Sequence, residues 1–177
     1  MQEFVILVKE FSVNVLVDVR SHPYSKHAPH FGLPILSRGL EEKGIKYLYL
    51  GKELGGRPED ECFYDDKGYV LYNEWSQSRL FLEGIQRLER GIEKYRVVIM
   101  CSEENPTECH RRLLITPVLE GRGMRVMHIR RGGRLESEAE LLKRESQPTL
   151  FKNSEGVTWK SIRSVLPRKQ PRNFSAS

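Results

Sequence analysis

The hydrophobic positions of the chain switch between a helical period and short continuous runs, which predicts helices alternating with buried strands. Near the amino terminus the apolar residues repeat every three or four positions, at Phe4, Leu7, Val8 and Phe11. Residues 15–19 are nearly all apolar, as in a parallel strand that is covered on both faces. Further strands are predicted at residues 45–50, 96–100 and 125–129.

Helices are predicted between these strands, at residues 34–43, 73–92, 105–120 and 136–143. Gly44 is a suitable C-cap for the first of them, and Pro117 should kink the third at a cost of about 3 kcal/mol unless the surroundings absorb it. Because strands and helices alternate, we predict an α/β fold, a three-layer α/β/α Rossmann-like sandwich with a mostly parallel sheet.

Composition restricts the class of protein more than its function. A chain of 177 residues and 20.6 kDa is one domain, and 30% charged residues with a mean hydropathy of −0.52 indicate a soluble protein. No apolar run reaches the roughly 18 residues of a membrane helix, and nothing at the amino terminus reads as a secretory signal. Three cysteines do not make a disulfide framework, so we expect a cytoplasmic protein with reduced thiols and no membrane partner.

The formal net charge of +5 is concentrated at the carboxyl end. Residues 160–177 contain five basic and no acidic side chains, so residues 1–159 are close to neutral. We therefore divide the chain into one α/β domain at residues 1–145 and a basic tail at residues 146–177. Two interpretations of the tail stay open: a solvated, poorly ordered terminus, or a segment that binds nucleic acid through its phosphates.

Three of the predicted strands run directly into loops that are rich in polar residues or glycine. These loops span residues 18–25, 51–58 and 101–111. The carboxyl ends of parallel strands share one edge of a sheet, so we expect the three loops to converge on one crevice. The candidate ligand-binding residues of this crevice are Arg20, Ser25, Gly55, Gly56, Arg57 and Arg111.

The arginines of these loops have a guanidinium fork that suits phosphate or carboxylate. For Arg20 the alternative is a structural pair with Asp18 or Glu103. Gly55 and Gly56 would let the backbone approach a ligand closely. They match neither a Walker loop nor the G-x-G-x-x-G pattern, and a simple turn is the favoured interpretation.

The third loop carries the candidate catalytic residues Cys101, Glu103, Cys109 and His110. Cys109 is predicted in the first turns of a helix, where the dipole lowers a thiol pKa, and His110 is a candidate general acid or base. A buried apolar role for the cysteines and a solvated helix start for His110 stay open as alternatives. Position 107 is Thr, so the C-x5-R arrangement of cysteine phosphatases is absent.

Zinc is another alternative for this loop. Cys101, Cys109, His110 and His128 offer sulfur and imidazole ligands that zinc accepts. Cys109 and His110 are adjacent, however, and on a helix they would point about 100° apart. We therefore assign no metal ligand and leave the cofactor unknown. A disulfide between Cys101 and Cys109 is an alternative under oxidising conditions.

Together these residues resemble the domain of unknown function 488 family over about residues 1–130. The resemblance rests on residues 17–20 with Pro23 and Ser25, on Phe31, on residues 44–47, 50–51 and 54–56, on the motif of Cys101, Glu103, Pro106, Cys109, His110 and Arg111, and on residues 123–129. It implies a Rossmann-like three-layer sandwich and little about activity. Family members begin with a strand before the first helix, whereas this chain starts inside that helix. The sheet is therefore expected to lack its usual first strand, unless the start codon is assigned late.

The favoured hypothesis is an enzyme or binding domain that holds an anionic ligand, a nucleotide or nucleic-acid phosphate, at the carboxyl edge of the sheet. One alternative is a non-enzymatic accessory protein that binds nucleic acid through the basic tail. The other is a zinc-stabilised module. The sequence determines neither the reaction nor the oligomeric state.

Overall fold

The centre of the fold is a three-stranded parallel sheet with the strand order β2-β1-β3. The computed structural model describes residues 2–24, 26–145 and 159–163. The strands of the central sheet are β1 (Val15–Asp18), β2 (Lys46–Tyr49) and β3 (Val97–Met100). Asp18 lies opposite Tyr49 and Met100, so the carboxyl ends of the three strands are level.

Helices and helical turns make up most of the remaining described chain. The α-helices are α1 (Gln2–Glu10), α2 (Leu33–Glu41), α3 (Gly51–Leu54), α4 (Tyr72–Gln77), α5 (Arg79–Ile92), α6 (Thr116–Glu120) and α7 (Glu138–Glu145). Short 3₁₀ turns occur at Pro29–Phe31, Glu61–Phe63, Pro106–Glu108 and Arg131–Gly133, and a π-helical turn at Arg111–Ile115. Within the described residues no strand precedes α1.

Helices cover both faces of the central sheet, which confirms the predicted α/β sandwich. On one face Leu16 of β1 packs against α1 and α2, in a cluster that includes Val8 and Leu40. On the other face Val17 packs in a second cluster with α3 to α6, which includes the fully buried Phe81 of α5. All four residues of β1 are buried, because side chains on both sides of the strand are covered by helices.

The long helix predicted at residues 73–92 is two helices, so this prediction was wrong. Ser78 separates α4 from α5 with an extended ψ of 148°. Its hydroxyl accepts a hydrogen bond from the N–H of Phe81 at 3.2 Å, which makes Ser78 the N-cap of α5. The apolar spacing runs through this break unchanged, because both helices pack against the same face of the sheet.

The helix predicted to start at Asn105 is also interrupted. Asn105 does cap a turn, but the turn is 3₁₀, and it is followed by the π-helical turn and α6. The π geometry lets both the N–H and the hydroxyl of Thr116 reach the carbonyl of Arg111. Pro117 then stands in the first turn of α6, where a missing N–H costs no helical hydrogen bond.

The strand predicted at residues 125–129 does not join the central sheet as a fourth strand. β4 (Met127–Ile129) instead pairs antiparallel with β5 (Leu135–Ser137) in a separate hairpin. Gly132 and Gly133 have φ values of 74° and 81° in the connecting turn, a conformation that favours glycine. The predicted last helix begins later than expected, since residues 135–137 belong to β5. The glycine-rich loop predicted from residue 51 starts with the single helical turn of α3.

A short segment near the carboxyl end packs on the domain. The backbone of Lys160 forms an isolated antiparallel β-bridge with that of Leu71. The indole N–H of Trp159 donates to the carbonyl of Leu113 at 2.7 Å, and Ser161 is buried. This segment belongs to the residues that we assigned to the basic tail, whereas residues 146–158 and 164–177 lie outside the described part of the chain. None of the described helices combines the length and the apolar character that a membrane span requires.

Candidate functional site

The three loops that follow β1, β2 and β3 converge on a cavity of about 290 Å³, which we call the carboxyl-edge cavity. Six of the predicted site residues line it: Arg20, Gly56, Arg57, Cys101, Glu103 and His110. Cys109 and Arg111 do not line the cavity, but both contact Glu103, which does. Ser25 lies outside the described residues. Convergence at the strand ends follows from the parallel sheet, whose three carboxyl ends are level.

Arg20 is held by the sheet itself. Its guanidinium makes a buried ion pair with Asp18, the last residue of β1, and also donates to the carbonyl of Phe31. The hydroxyl of Tyr47 donates to the same carboxylate at 2.7 Å. Burial and the neighbouring Asp18 carboxylate raise the pKa of Tyr47, so its phenol stays protonated. Of the two interpretations of Arg20, the structural pair with Asp18 is therefore present, although Arg20 also reaches the wall of the cavity.

Cys101, Cys109 and His110 form a compact group that we call the cysteine–histidine cluster. Their two sulfurs and a ring nitrogen all lie within 4.8 Å of one another. Cys101 follows the last residue of β3, and the backbone of Cys109 is extended, with φ −114° and ψ 135°. The predicted divergence of Cys109 and His110 requires a helix at both positions. The extended backbone at Cys109 instead brings both side chains to Cys101.

The ring of His110 is oriented by the backbone of β1's carboxyl end. Its Nε2 lies 3.2 Å from the carbonyl oxygen of Val19. A carbonyl only accepts hydrogen bonds, so Nε2 donates its proton to Val19. Nδ1 lies 3.5 Å from the Cys101 sulfur. The ring therefore points Nδ1 at the cluster.

Glu103 and Arg111 surround the two sulfurs with opposite charges. One carboxylate oxygen of Glu103 lies 3.0 Å from the Cys101 sulfur and 3.9 Å from the Cys109 sulfur. Arg111 donates through Nε to the Cys109 sulfur at 3.2 Å and also binds the carbonyl of Glu103. Arg111, predicted as a ligand-binding residue, thus uses its guanidinium for hydrogen bonds within the protein.

The two thiols titrate as a pair. The hydrogen bond from the Cys101 thiol lowers the pKa of Cys109 against the opposing effect of burial, and His110 and Arg111 lower it further. The same hydrogen bond, together with burial and the Glu103 carboxylate, raises the pKa of Cys101. Without any other ligand, the cluster therefore favours one thiolate, on Cys109, and one thiol.

The two glycines have a packing role that the sequence analysis did not predict. A Cβ on Gly56 would lie 2.9 Å from Cγ of His110, and one on Gly55 would lie 2.2 Å from the carbonyl oxygen of Gly51. The carbonyl of Gly55 accepts a hydrogen bond from the Trp75 indole at 3.1 Å. Both glycines are required by close approach, and Gly56 lets its loop lie against the His110 ring.

Several lining residues were missed by the sequence analysis as site residues. They are Ser21, His22, Tyr72, Ser102, Glu108, Leu113, Ser161, Ile162 and Arg163. Four of them, Ser21, His22, Ser102 and Glu108, fall inside the predicted loops and could have been found there. Ser161 to Arg163 follow the predicted last helix by many residues, and the spacing of polar and apolar positions gives no signal for their location. His128, once considered as a metal ligand, lies beside Glu138 at 3.2 Å instead.

Sequence comparison identifies the family of the chain. The family described as "Domain of unknown function DUF488" matches residues 1–117, about two thirds of the sequence, and the chain belongs to this family. No curated protein and no solved structure matches the chain. The matched residues include the three strands of the central sheet and the cysteine–histidine cluster.

Proposed function

We propose that the carboxyl-edge cavity binds an anionic group, the phosphate of a nucleotide or of a nucleic acid, and that the cysteine–histidine cluster acts on it. The observation that carries the proposal is the convergence of three strand-end loops on one cavity, with arginines and a sulfur–imidazole pair in its wall. In open α/β sheets this edge is the general place for ligands. The function of the family is uncharacterised, so the proposal depends on the geometry of this site.

Two arginines of the cavity are available to an anion. Arg57 and Arg163 are exposed, and neither takes part in an ion pair within the described ranges. Backbone groups add to them: the N–H groups of Ser102 and Glu103 make no backbone hydrogen bond in the described part of the chain. Free N–H groups at a strand end and guanidinium forks are the donors that phosphate oxygens prefer.

The cavity also contains acceptors, which restricts the class of ligand. Glu103 and Glu108 line the same cavity as the arginines. A bare anion would gain nothing from them, whereas a ligand with both a phosphate and hydroxyl groups can satisfy both kinds of partner. This mixture favours a nucleotide or a nucleic-acid end over inorganic phosphate.

The chemistry of the site would be supplied by the cluster. Nδ1 of His110 lies 3.5 Å from the Cys101 sulfur, and the Val19 carbonyl orients the ring. Because Cys101 keeps its proton at rest, His110 would act as the base that removes this proton when Cys101 attacks a bound ligand. Cys101 and His110 line the cavity, so they face the bound ligand.

Titration calorimetry of the full chain with AMP, inorganic phosphate and a short single-stranded DNA would test the anion site. Arg57→Ala should weaken binding of the preferred probe by about 10- to 100-fold, since a charge-assisted hydrogen bond contributes about 1.5–3 kcal/mol. Arg38→Ala is the matched control, because Arg38 is exposed on α2, which packs on the other face of the sheet. Equal loss in both variants, or no binding of any probe, would refute the proposal.

The hypothesis of a nucleic-acid-binding tail depends largely on residues 164–177, which lie outside the described part of the chain, and it stays a prediction. Its signature would be DNA affinity that falls steeply with salt. We also propose a reducing, cytoplasmic compartment for the protein. The supporting observation is that Cys62, Cys101 and Cys109 are all free thiols.

A further inference from the structure

We propose that Cys101, Cys109 and His110 hold one zinc-type transition-metal ion, with its fourth coordination position open to the carboxyl-edge cavity. Tetrahedral zinc has Zn–S and Zn–N distances of about 2.3 and 2.0 Å, which separates its ligand atoms by roughly 3.5–3.8 Å. The two sulfurs and a ring nitrogen of His110 lie within 4.8 Å of one another, and the Cys101 sulfur lies 3.5 Å from Nδ1. Cys101 and His110 are thus already at the spacing that one ion requires, and the remaining distances exceed it by no more than about 1 Å.

The surroundings of His110 are those of a metal ligand. The nitrogen that faces the sulfurs must offer a lone pair to the ion, and the hydrogen bond from Nε2 to the Val19 carbonyl makes Nδ1 the nitrogen that can do so. A backbone carbonyl that fixes the ring in this way is the usual outer partner of a ligating histidine. The backbone of Gly56 lies close to the same ring, where a Cβ would approach Nδ1 to 3.0 Å.

Glu103 and Arg111 flank the three ligand residues with opposite charges. One carboxylate oxygen of Glu103 lies 3.0 Å from one sulfur and 3.9 Å from the other, and Nε of Arg111 lies 3.2 Å from the Cys109 sulfur. Two thiolates balance the charge of a divalent ion, and the flanking carboxylate and guanidinium balance each other. Two sulfurs and an imidazole favour zinc over magnesium or calcium, which prefer oxygen.

The inference deepens the proposed function, because it rests on the same cavity wall and names the group that acts there. With an ion bound, Cys101 is a ligand and not a free nucleophile, and the ion becomes the Lewis acid that faces the anion. The two proposals can fail separately. Metal binding is measured without any anion, and the calorimetry with AMP can be run on the chain before and after treatment with a chelator.

The test is the metal content of the full chain, reconstituted with zinc or cobalt under reducing conditions and desalted. We expect about one ion per chain, and Co²⁺ should show the sulfur-to-metal charge transfer and tetrahedral ligand-field absorption of a thiolate site. Cys109→Ser should weaken binding by at least about 100-fold. Cys62→Ser is the matched control, because Cys62 is exposed and outside the cluster.

Two results would overturn the inference. One is a wild-type chain that retains less than about a tenth of an ion after reconstitution and gives no thiolate absorption with Co²⁺. The other is a full complement of metal in Cys109→Ser together with its loss in Cys62→Ser, which would place the ion elsewhere. The cobalt spectrum of the unaltered chain keeps the test decisive even if Cys109→Ser fails to fold.

Discussion

Replacing Gly56 by alanine would test whether the loop after α3 holds the His110 ring in place. A Cβ at this position would lie 2.9 Å from Cγ, 3.0 Å from Nδ1 and 3.1 Å from Cβ of His110. Ordinary carbon–carbon contacts are about 3.5–4.0 Å, so either the ring or the loop must move by roughly 0.5–1 Å. Gly56 is not among the residues with positive φ, so alanine brings no backbone strain of its own.

The size of the effect follows from two opposing contributions. Overpacking a rigid site costs about 1–3 kcal/mol, and the smaller entropy of the unfolded chain returns about 0.4–1 kcal/mol. We therefore expect Gly56→Ala to lower the free energy of unfolding by about 0.5–2.5 kcal/mol. Gly39→Ala is the control: it lies in α2 with no atom within 4 Å of the added Cβ, and it should stabilise the chain by about 0.5–1 kcal/mol.

Urea unfolding of the two variants beside the wild type measures this difference directly, because both carry the same substitution. Metal content and the ring signals of His110 in nuclear magnetic resonance report whether the displacement reaches the cluster. If Gly56→Ala is stabilised as much as Gly39→Ala, and the signals of His110 are unchanged, then the loop does not constrain the ring. The reasoning about the orientation of His110 would then be refuted.

Three further predictions concern the scaffold. Burial lowers the pKa of His128, against the raising effect of Glu138, so the folded state disfavours protonation of its ring. The stability contributed by the neutral ring is present above pH 6.5 and is lost as the pH falls through the lowered pKa. His128→Gln should flatten that decline in urea unfolding. Ser78→Ala removes the cap of Phe81 N–H and should cost about 1 kcal/mol in the same assay, with an unchanged m-value. Ser161→Ala leaves a buried N–H without its acceptor and should cost about 1–3 kcal/mol; a change within experimental error would show that the carboxyl-terminal segment is not firmly attached.

The sequence predicted the sheet well because its central strand is unambiguous. β1 is covered on both faces, and such burial leaves a continuous apolar run that few other structures produce. From parallel strands the convergence of the loops follows without further information, and six predicted residues do line one cavity. These conclusions needed only the period of the pattern and the general geometry of α/β sheets.

The wrong helix predictions arose where the backbone leaves the helical conformation although the apolar spacing continues. Ser78 ends one helix and starts another without changing the apolar spacing, so the pattern could not show the break. The extended backbone at Cys109 follows from the 3₁₀ turn before it, and a helical assumption hid the cluster. Ser161 and its neighbours reach the cavity through contacts that are distant in sequence, on which local patterns give no information.

Residues 159–163 form part of the cavity lining but belong to no strand of the central sheet, so this segment could detach while the sheet stays intact. It is fixed by hydrogen bonds to Val70, Tyr72 and Leu113 and by the ion pair of Lys160 with Asp65, and it carries Arg163 to the cavity. A ligand that contacts Arg163 binds more tightly when the segment is docked, so by thermodynamic linkage it must tighten the docking by the same factor. The fraction of sites with bound ligand and the fraction of chains with the segment docked would then rise together. Resistance of that chain to proteolysis should rise with ligand concentration.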